Sequence, residues 1–275
     1  MTKSILRWAG SKAQIVDRLA VYWNGERYIE PFVGSGALFF HLEPAQAILG
    51  DINQALLKTW ITIRDHPLAV HRRLRQLHAT KKTYLQLRRN AGKSPAQQAA
   101  AFVFLNRYAF NGLYRTNAAG VFNVPYARNK SGQLPTWSTL CHASDILKAA
   151  TIVNADFETL VLDHVQHGDF VYLDPPYAVG NRRLFRQYGP NSFGFADLAR
   201  LGRVLTEIDR RGANFLLSYA YCVEARVAFA RWHHRTLMTR RNIAGFVDSR
   251  RKAREMLVSN KPLSDDSTNR HRGHK

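Results

Sequence analysis

Cysteine is nearly absent: Cys141 and Cys222 are the only two in 275 residues. That excludes a disulfide-stapled secreted scaffold, and because neither belongs to a CxxC pair, no structural zinc site is expected. No stretch approaches the ~20 consecutive apolar residues that span a bilayer. The start of the chain, Met1 to Lys12, lacks the apolar core of a cleavable leader. A soluble, cytoplasmic protein of a reducing compartment is the expectation. Acidic residues are the second scarcity: 20 Asp and Glu face 40 Lys and Arg, a net charge of +20 and a pI near 10.5. A globular chain this basic is expected to meet a polyanion, either nucleic acid or an anionic membrane surface, and composition does not choose between them. Histidine is plentiful at 11 residues but scattered. His233-His234 and the pair His271 and His274 lack Cys or carboxylate partners at ligand spacing, so they read as solvated surface and no metal is expected.

A hydrophobic content of 45% is ample for a core. A short strand reads from Arg27 to Phe32, ended by Pro31 and Gly34, with a helix opening after Gly36 and a buried strand at Ala47-Ile48-Leu49-Gly50-Asp51. Strand, glycine turn, helix, strand is the grammar of a βαβ unit, so the fold class is α/β. The texture changes over 57–137. Basic runs (Arg72-Arg73, Arg75, Lys81-Lys82, Arg88-Arg89) fall on expected helices, and Pro95 opens an alanine-rich one. Asn111-Gly112 is a turn signal, and Val121 to Tyr126 reads as the return strand of a β-ribbon. We take 57–137 as a helical insert carrying that ribbon, between the flanks 1–56 and 138–261. Strands resume at Ala150 to Ala155, Asp169 to Leu173, Phe215 to Leu217 and Met256 to Val258, and a striped helix runs from Phe195 to Arg211. The tail, 262–275, is polar and charged and expected to be disordered.

Three constellations carry chemistry. In Glu30-Pro31-Phe32-Val33-Gly34-Ser35-Gly36, two glycines after a strand allow close backbone approach to a ligand. A tight strand–helix turn is the bland alternative. The third glycine of a dinucleotide fingerprint is missing and no phosphate-loop lysine follows, which disfavours a diphosphate and favours a ribose without phosphates. Asp51, ending the next strand, suits a ribose diol or a helix N-cap. Asp174-Pro175-Pro176-Tyr177, directly after a hydrophobic strand, is the decisive element. Two prolines stiffen the loop and cannot donate backbone hydrogen bonds. What remains is a carboxylate and a carbonyl, acceptors for the two N–H donors of an exocyclic amine, followed by a ring able to stack on a base.

These elements occur in the order found in Dam-type DNA adenine-N6 methyltransferases, which the chain resembles from about Leu6 to Asn260. Arg7-Trp8-Ala9-Gly10-Ser11-Lys12, Phe32-Val33-Gly34-Ser35-Gly36, Asp51-Ile52-Asn53 and Asp174-Pro175-Pro176-Tyr177 carry the likeness. So do the segments Asn106 to Arg115, Phe122 to Pro125, Asn191-Ser192-Phe193 and Glu255 to Asn260. The resemblance implies a Rossmann-like AdoMet-dependent methyltransferase sheet with an inserted helical and β-ribbon DNA-recognition domain. S-adenosylmethionine (AdoMet) is then the cofactor and adenine in double-stranded DNA the substrate, flipped from the duplex to be reached. Trp8, Lys12, Phe32, Gly34 and Gly36 are expected around AdoMet, with Asp51 on its ribose and Asp156-Phe157 on its adenine. Asp174, which also borders the cofactor, accepts from N6 of the target base, Pro175 and Pro176 hold the loop rigid, and Tyr177 stacks on that base.

The same resemblance assigns sequence reading, favouring GATC, to Arg7, Leu113, Arg115 and Pro125, with Asn111 in the same DNA-contacting segment and Phe110 as the aromatic wedge. Arginine pairs bidentately with guanine and apolar side chains meet a thymine methyl. The family more often has lysine at position 7 and tyrosine at position 110. Arg182-Arg183, after the catalytic loop, are expected to face DNA. The rivals are an AdoMet enzyme acting on RNA adenine or a protein amide, against which the ribbon insert argues, and a catalytically inactive DNA-binding relative, against which the intact loop and turn argue. Nucleoid association through DNA, no membrane and no obligate protein partner complete the expectation.

Overall fold

A computed structural model describes residues 5–8, 10–117, 120–127, 132–177, 193–240 and 252–263. After a 3-10 turn at Lys12–Gln14, the chain forms α1 (Val16–Ala20), β1 (Tyr28–Glu30), α2 (Ala37–Leu42) and β2 (Ala47–Gly50). Helices follow: α3 (Gln54–Asp65), α4 (Pro67–Arg75), α5 (Lys81–Arg89), α6 (Pro95–Tyr108) and α7 (Trp137–Leu147). Alternation then resumes with β3 (Ala150–Val153), α8 (Phe157–His164), β4 (Phe170–Leu173), α9 (Phe195–Arg210), β5 (Asn214–Ala220), α10 (Val223–Ala228), β6 (His233–Arg240) and β7 (Lys252–Ser259).

The strands form one 7-stranded sheet in the order β3-β2-β1-β4-β5-β7-β6. Neighbours from β3 through β5 are parallel, and β7 runs antiparallel between β5 and β6. Alternate residues serve opposite faces, as the two-residue period of a strand requires. Tyr28, Leu49, Tyr172, Leu216 and Leu257 join a core with α1 to α7. Ile29, Ile48, Val171, Leu217 and Val258 join a second core with α8 to α10. The central strands are therefore predominantly apolar, as in sheets covered on both faces, with Glu30 and Ser218 the buried polar exceptions in β1 and β5. Chain order reverses direction between β1 and β4, and ligands in such sheets lie beyond the carboxyl ends at that switch point. Both motif-bearing loops leave the sheet there.

Helix α6 is the hub of the segment after β2, packing on α3, α4 and α5. Its start is fixed by a capping box, with Ser94 accepting from Gln97 N while the Gln97 side chain accepts from Ser94 N, and by Pro95 in its first turn. Arg72, Arg73 and Arg75 on α4 and Lys81, Lys82 and Arg89 on α5 are exposed.

Two expectations need correction. The ribbon is not a pair of continuous strands: it consists of the isolated bridges Ala109–Tyr126 and Thr116–Phe122. Asn111 (φ 58°) and Gly112 (φ 65°) are left-handed and kink the outgoing arm, and Pro125 has no N–H to contribute to a ladder. The two arms meet again further on, where Asn117 N donates to Val121 O at 2.9 Å. Strand β6 was not anticipated at all. His233-His234 begin it as exposed edge residues, and its polar composition, typical of protected sheet edges, hides the two-residue period. Past β7, Leu263 packs on the first core, while 264–275, most of the expected tail, lies outside the described residues. No helix among the described residues is long and apolar enough to cross a membrane.

Candidate active site

At the end of β1 the chain turns through Gly34 and Gly36, both left-handed at φ 45° and 62°. Gly34 is the tightest point. A Cβ there would lie 2.8 Å from Trp8 Nε1, so the indole occupies the space that glycine leaves. Trp60 Nε1 donates to Gly34 O at 3.1 Å, and Gly34 N donates to Asp51 Oδ2 at 3.2 Å. Asp51 also accepts from Asn53 N at 2.9 Å. It is therefore not the N-cap of α3; that cap is Asn53, which accepts from Leu56 N. Burial pushes the Asp51 carboxyl above its ordinary value, opposed by these backbone donors. Gly36 stands behind the turn as the N-terminal cap residue of α2.

At the end of β4, Asp174 meets Lys12. The buried ammonium donates to Asp174 Oδ1 at 2.7 Å, to Tyr177 Oη at 2.9 Å and to Gly10 O at 2.9 Å. It lies 3.5 Å from Glu255 Oε1, to which Tyr177 donates at 2.9 Å. Burial alone would lower the Lys12 pKa, but Asp174, Tyr177 and Glu255 hold it well above its ordinary value. Burial likewise raises the Tyr177 phenol, which stays protonated. The loop's carboxylate and ring are thus fixed by one cation before any substrate arrives. The sequence pointed to Lys12 as a cofactor residue; its grip on Asp174 is new. Glu255 was quoted only as part of a motif. Its signal was a carboxylate leading an apolar strand, Met256-Leu257-Val258, and it is almost wholly buried.

Between these two loops lies a cavity of about 790 Å³. Trp8, Lys12, Phe32, Gly34, Asp51, Asp156, Phe157, Asp174, Pro175, Pro176 and Tyr177 all line it, so motifs far apart in the chain converge. Phe32 and Phe157 stack at 5.1 Å. Asp156 caps α8 by accepting from Glu158 N and pairs with Arg200. Arg200 also binds Glu158 at 2.8 Å and Asp197 at 2.9 Å and covers the Phe157 ring at 4.7 Å. Sequence reasoning missed Arg200, whose position inside an amphipathic helix gave no signal.

The far wall belongs to the kinked segment, through Tyr114, Arg115, Thr116, Asn117 and Gly120. Asn123 Oδ1 accepts from Arg115 Nε at 2.8 Å, holding one edge of the guanidinium. Phe110 is 44% exposed, an unusual state for a phenylalanine. Asn111 Nδ2 is buried without a hydrogen-bond partner among the described residues, and Pro125 is exposed. Arg7, Phe110, Asn111, Leu113 and Pro125 are not part of the cavity lining. The backbone at Arg7 is fixed by Asn106, which accepts from Arg7 N at 2.7 Å and donates to Arg7 O at 2.6 Å. Arg182 and Arg183 lie outside the described residues.

A sheet of this order, with a glycine turn and an acceptor loop side by side at its switch point, is a Rossmann-like AdoMet-dependent methyltransferase fold. The family model described as D12 class N6 adenine-specific DNA methyltransferase matches residues 8–243, and the chain belongs to that family. Type II methyltransferase M.MjaIII of Methanocaldococcus jannaschii is 33% identical over 81% of this chain and 86% of its own length. Type II methyltransferase M1.LlaDCHI of Lactococcus lactis subsp. cremoris is 33% identical over 92% and 94%. The DNA adenine methylase of Escherichia coli K12 is 30% identical over 94% and 96%. The activity is AdoMet-dependent methylation of adenine N6 in DNA. The cavity suits that cofactor. Leaving out Glu30, whose carboxyl burial pushes well above its ordinary value, its lining carboxylates (Asp51, Asp156, Asp174, Asp197) outnumber its cations (Lys12, Arg115, Arg200), a lining that favours a sulfonium ligand over a phosphorylated one.

Proposed function

We propose that this chain methylates adenine N6 within GATC in duplex DNA, taking the base out of the stack to do so. The observation that carries the proposal is the Asp174–Tyr177 loop, held at the cavity by Lys12 and Glu255. When bound, AdoMet supplies an electrophilic methyl group. The residues of this chain do the positioning. Asp51 receives the ribose diol, Asp156 and Phe157 take the adenine ring with Phe32, and Trp8 closes over the Gly34 turn, which Gly36 delivers into α2. Asp174 and the Pro175 carbonyl accept the two N–H bonds of the target N6, aiming its lone pair at the methyl carbon. Pro176 keeps those acceptors from moving, and Tyr177 stacks on the base with its hydroxyl pinned. AdoMet would give up that methyl and leave as the neutral thioether, and the proton that N6 sheds would pass through Asp174, its hydrogen-bond acceptor, to solvent. Geometry and fixed charge supply the rate enhancement.

The segment 57–137 acts as the target-recognition unit between the catalytic parts 1–56 and 138–261. Arg115, held through Nε, offers its remaining guanidinium edge to a guanine, and Arg7 takes the other guanine. Leu113 and Pro125 meet thymine methyl groups. The exposed Phe110 enters the stack left by the extruded base, with the unsatisfied Asn111 amide beside it. Arg182-Arg183 add phosphate contacts. The test is modification mapping of DNA from cells expressing this chain, beside an Asp174→Ala variant. N6-methyladenine confined to GATC and lost in the variant is expected. Methylation at a different motif would overturn the GATC reading, and methylation that survives Asp174→Ala would overturn the role of the loop.

A further inference from the structure

Tyr114 has been given no role of its own above, yet it touches both halves of the molecule. Its ring stacks on Trp8 at 5.7 Å and 18°. It also packs against Phe102 of α6 at 5.1 Å and Phe122 of the return arm at 5.5 Å. Its hydroxyl lies beside the Asn53 side chain and near Asp51, and Tyr114 lines the cavity. Trp8 in turn fills the space over Gly34, and Asn53 N is bonded to Asp51. One side chain of the DNA-facing segment therefore leans on both cofactor-side loops. Its sequence neighbours are Leu113 and Arg115.

We propose that Tyr114 is a positioning residue that couples cofactor occupancy to base readout: a cofactor seated against Trp8 and Asp51 fixes Tyr114, and Tyr114 fixes Leu113 and Arg115 on either side. The inference rests on the reading that Leu113 and Arg115 meet bases. A ring held on a firm indole and a firm Asn53 restricts the backbone of residues 113–115, so part of the ordering needed for base recognition is met when the cofactor binds. The coupling is reciprocal, so cognate DNA tightens cofactor binding by the same factor. A stacked aromatic contact is worth a factor of ~2–12 in an equilibrium constant, and the polar contact of the hydroxyl with Asn53 adds to it.

The experiment measures the dissociation constant of a GATC duplex and of a scrambled duplex, with and without saturating S-adenosylhomocysteine, which has no methyl to transfer. In the wild type the cofactor product tightens the GATC duplex ~10-fold or more and leaves the scrambled one nearly unchanged. Tyr114→Leu, which keeps apolar volume between Phe102 and Phe122 but loses the stacked face and hydroxyl, brings that ratio to within ~2-fold of one. Tyr114→Phe, which keeps the stack, lowers it ~2–10-fold and decides the question should the leucine variant not fold. A merely structural role weakens both ligands and leaves the ratio intact. A wild-type ratio near one, or a wild-type ratio retained in the variants, overturns the proposal. Methyl transfer to the same duplex by the wild type is scored separately: transfer with an unchanged ratio in the variants sinks the Tyr114 coupling alone, whereas no transfer sinks the reading beneath it.

Discussion

Replacing Lys12 by methionine removes a cation from between two carboxylates while keeping a side chain of similar length. At an effective dielectric of ~20, unit charges 2.7 Å apart attract by ~6 kcal/mol. Glu255 at 3.5 Å adds an attraction of similar order. Desolvation of the buried ions opposes both, and removing one partner of such a cluster costs a net ~3–5 kcal/mol because the remaining charges lose their counterion. Unfolding entropy of ~2.1 cal/mol/K per residue gives ~0.6 kcal/mol/K for a chain of 275 residues. Tm should therefore fall by roughly 5–9 °C. Glu255→Gln added to Lys12→Met removes one of the stranded charges, so the double variant should lose less than the sum of the singles, with a coupling of ~1–3 kcal/mol. The pH dependence has a definite sign. Lys12 is raised above its ordinary 10.5, so its contribution is complete below that value and is lost only as pH rises through the folded-state pKa. The gap between wild type and Lys12→Met should then stay constant across neutral pH. Thermal unfolding of the cofactor-free protein reads all three. A Tm loss under ~2 °C, or strictly additive losses in the double variant, would refute the cluster as described.

Gly34→Ala forces a Cβ to within 2.8 Å of Trp8 Nε1 at a left-handed φ of 45°; displaced indole and backbone strain of ~1–2 kcal/mol should weaken AdoMet binding ~10-fold or more by calorimetry, and unchanged affinity would remove the turn from the cofactor site. Burial raises Asp51 above 3.8, so AdoMet affinity should decline on acidification at a higher pH than an ordinary aspartate allows. Asp51→Asn should flatten that limb, and an identical limb in the variant would assign it to another group. With ~6–10 phosphate contacts, duplex affinity should drop ~10³–10⁵ between ~50 and ~200 mM salt, and a nearly flat titration would mean that the charge of +20 is not used on DNA.

The parts of the fold legible in the sequence were those whose chemistry is local. Strands β1, β2, β4 and β5 are apolar runs between turn residues, and α9 carries its stripe at Leu198, Leu201, Leu205 and Ile208, all buried. Edge strand β6 was not legible, because of its inward positions Arg235, Leu237 and Thr239 only Leu237 is apolar and buried, so its two-residue period is not written in hydrophobicity. The kinked segment after α6 was read too regularly, since Asn111-Gly112 signals a left-handed turn without saying whether the chain reverses there. At the site, the loops announced themselves through glycine and proline. Glu255, Arg200 and the Lys12–Asp174 pair did not, because a side chain meeting a partner 162 residues away leaves no pattern in either neighbourhood.

The paired hydrogen bonds between Asn106 and the Arg7 backbone span 99 residues. On the ribosome, the Arg7 backbone lacks its Asn106 partner until α6 has emerged, and Lys12 lacks its counter-charge until Asp174 has followed β4. The segment 5–12 is thus among the last to settle, a long-range order that slows folding. A nascent or nicked chain that stops short of that point has an unlatched leading end and no assembled reaction centre, so incomplete copies of the protein cannot mark DNA.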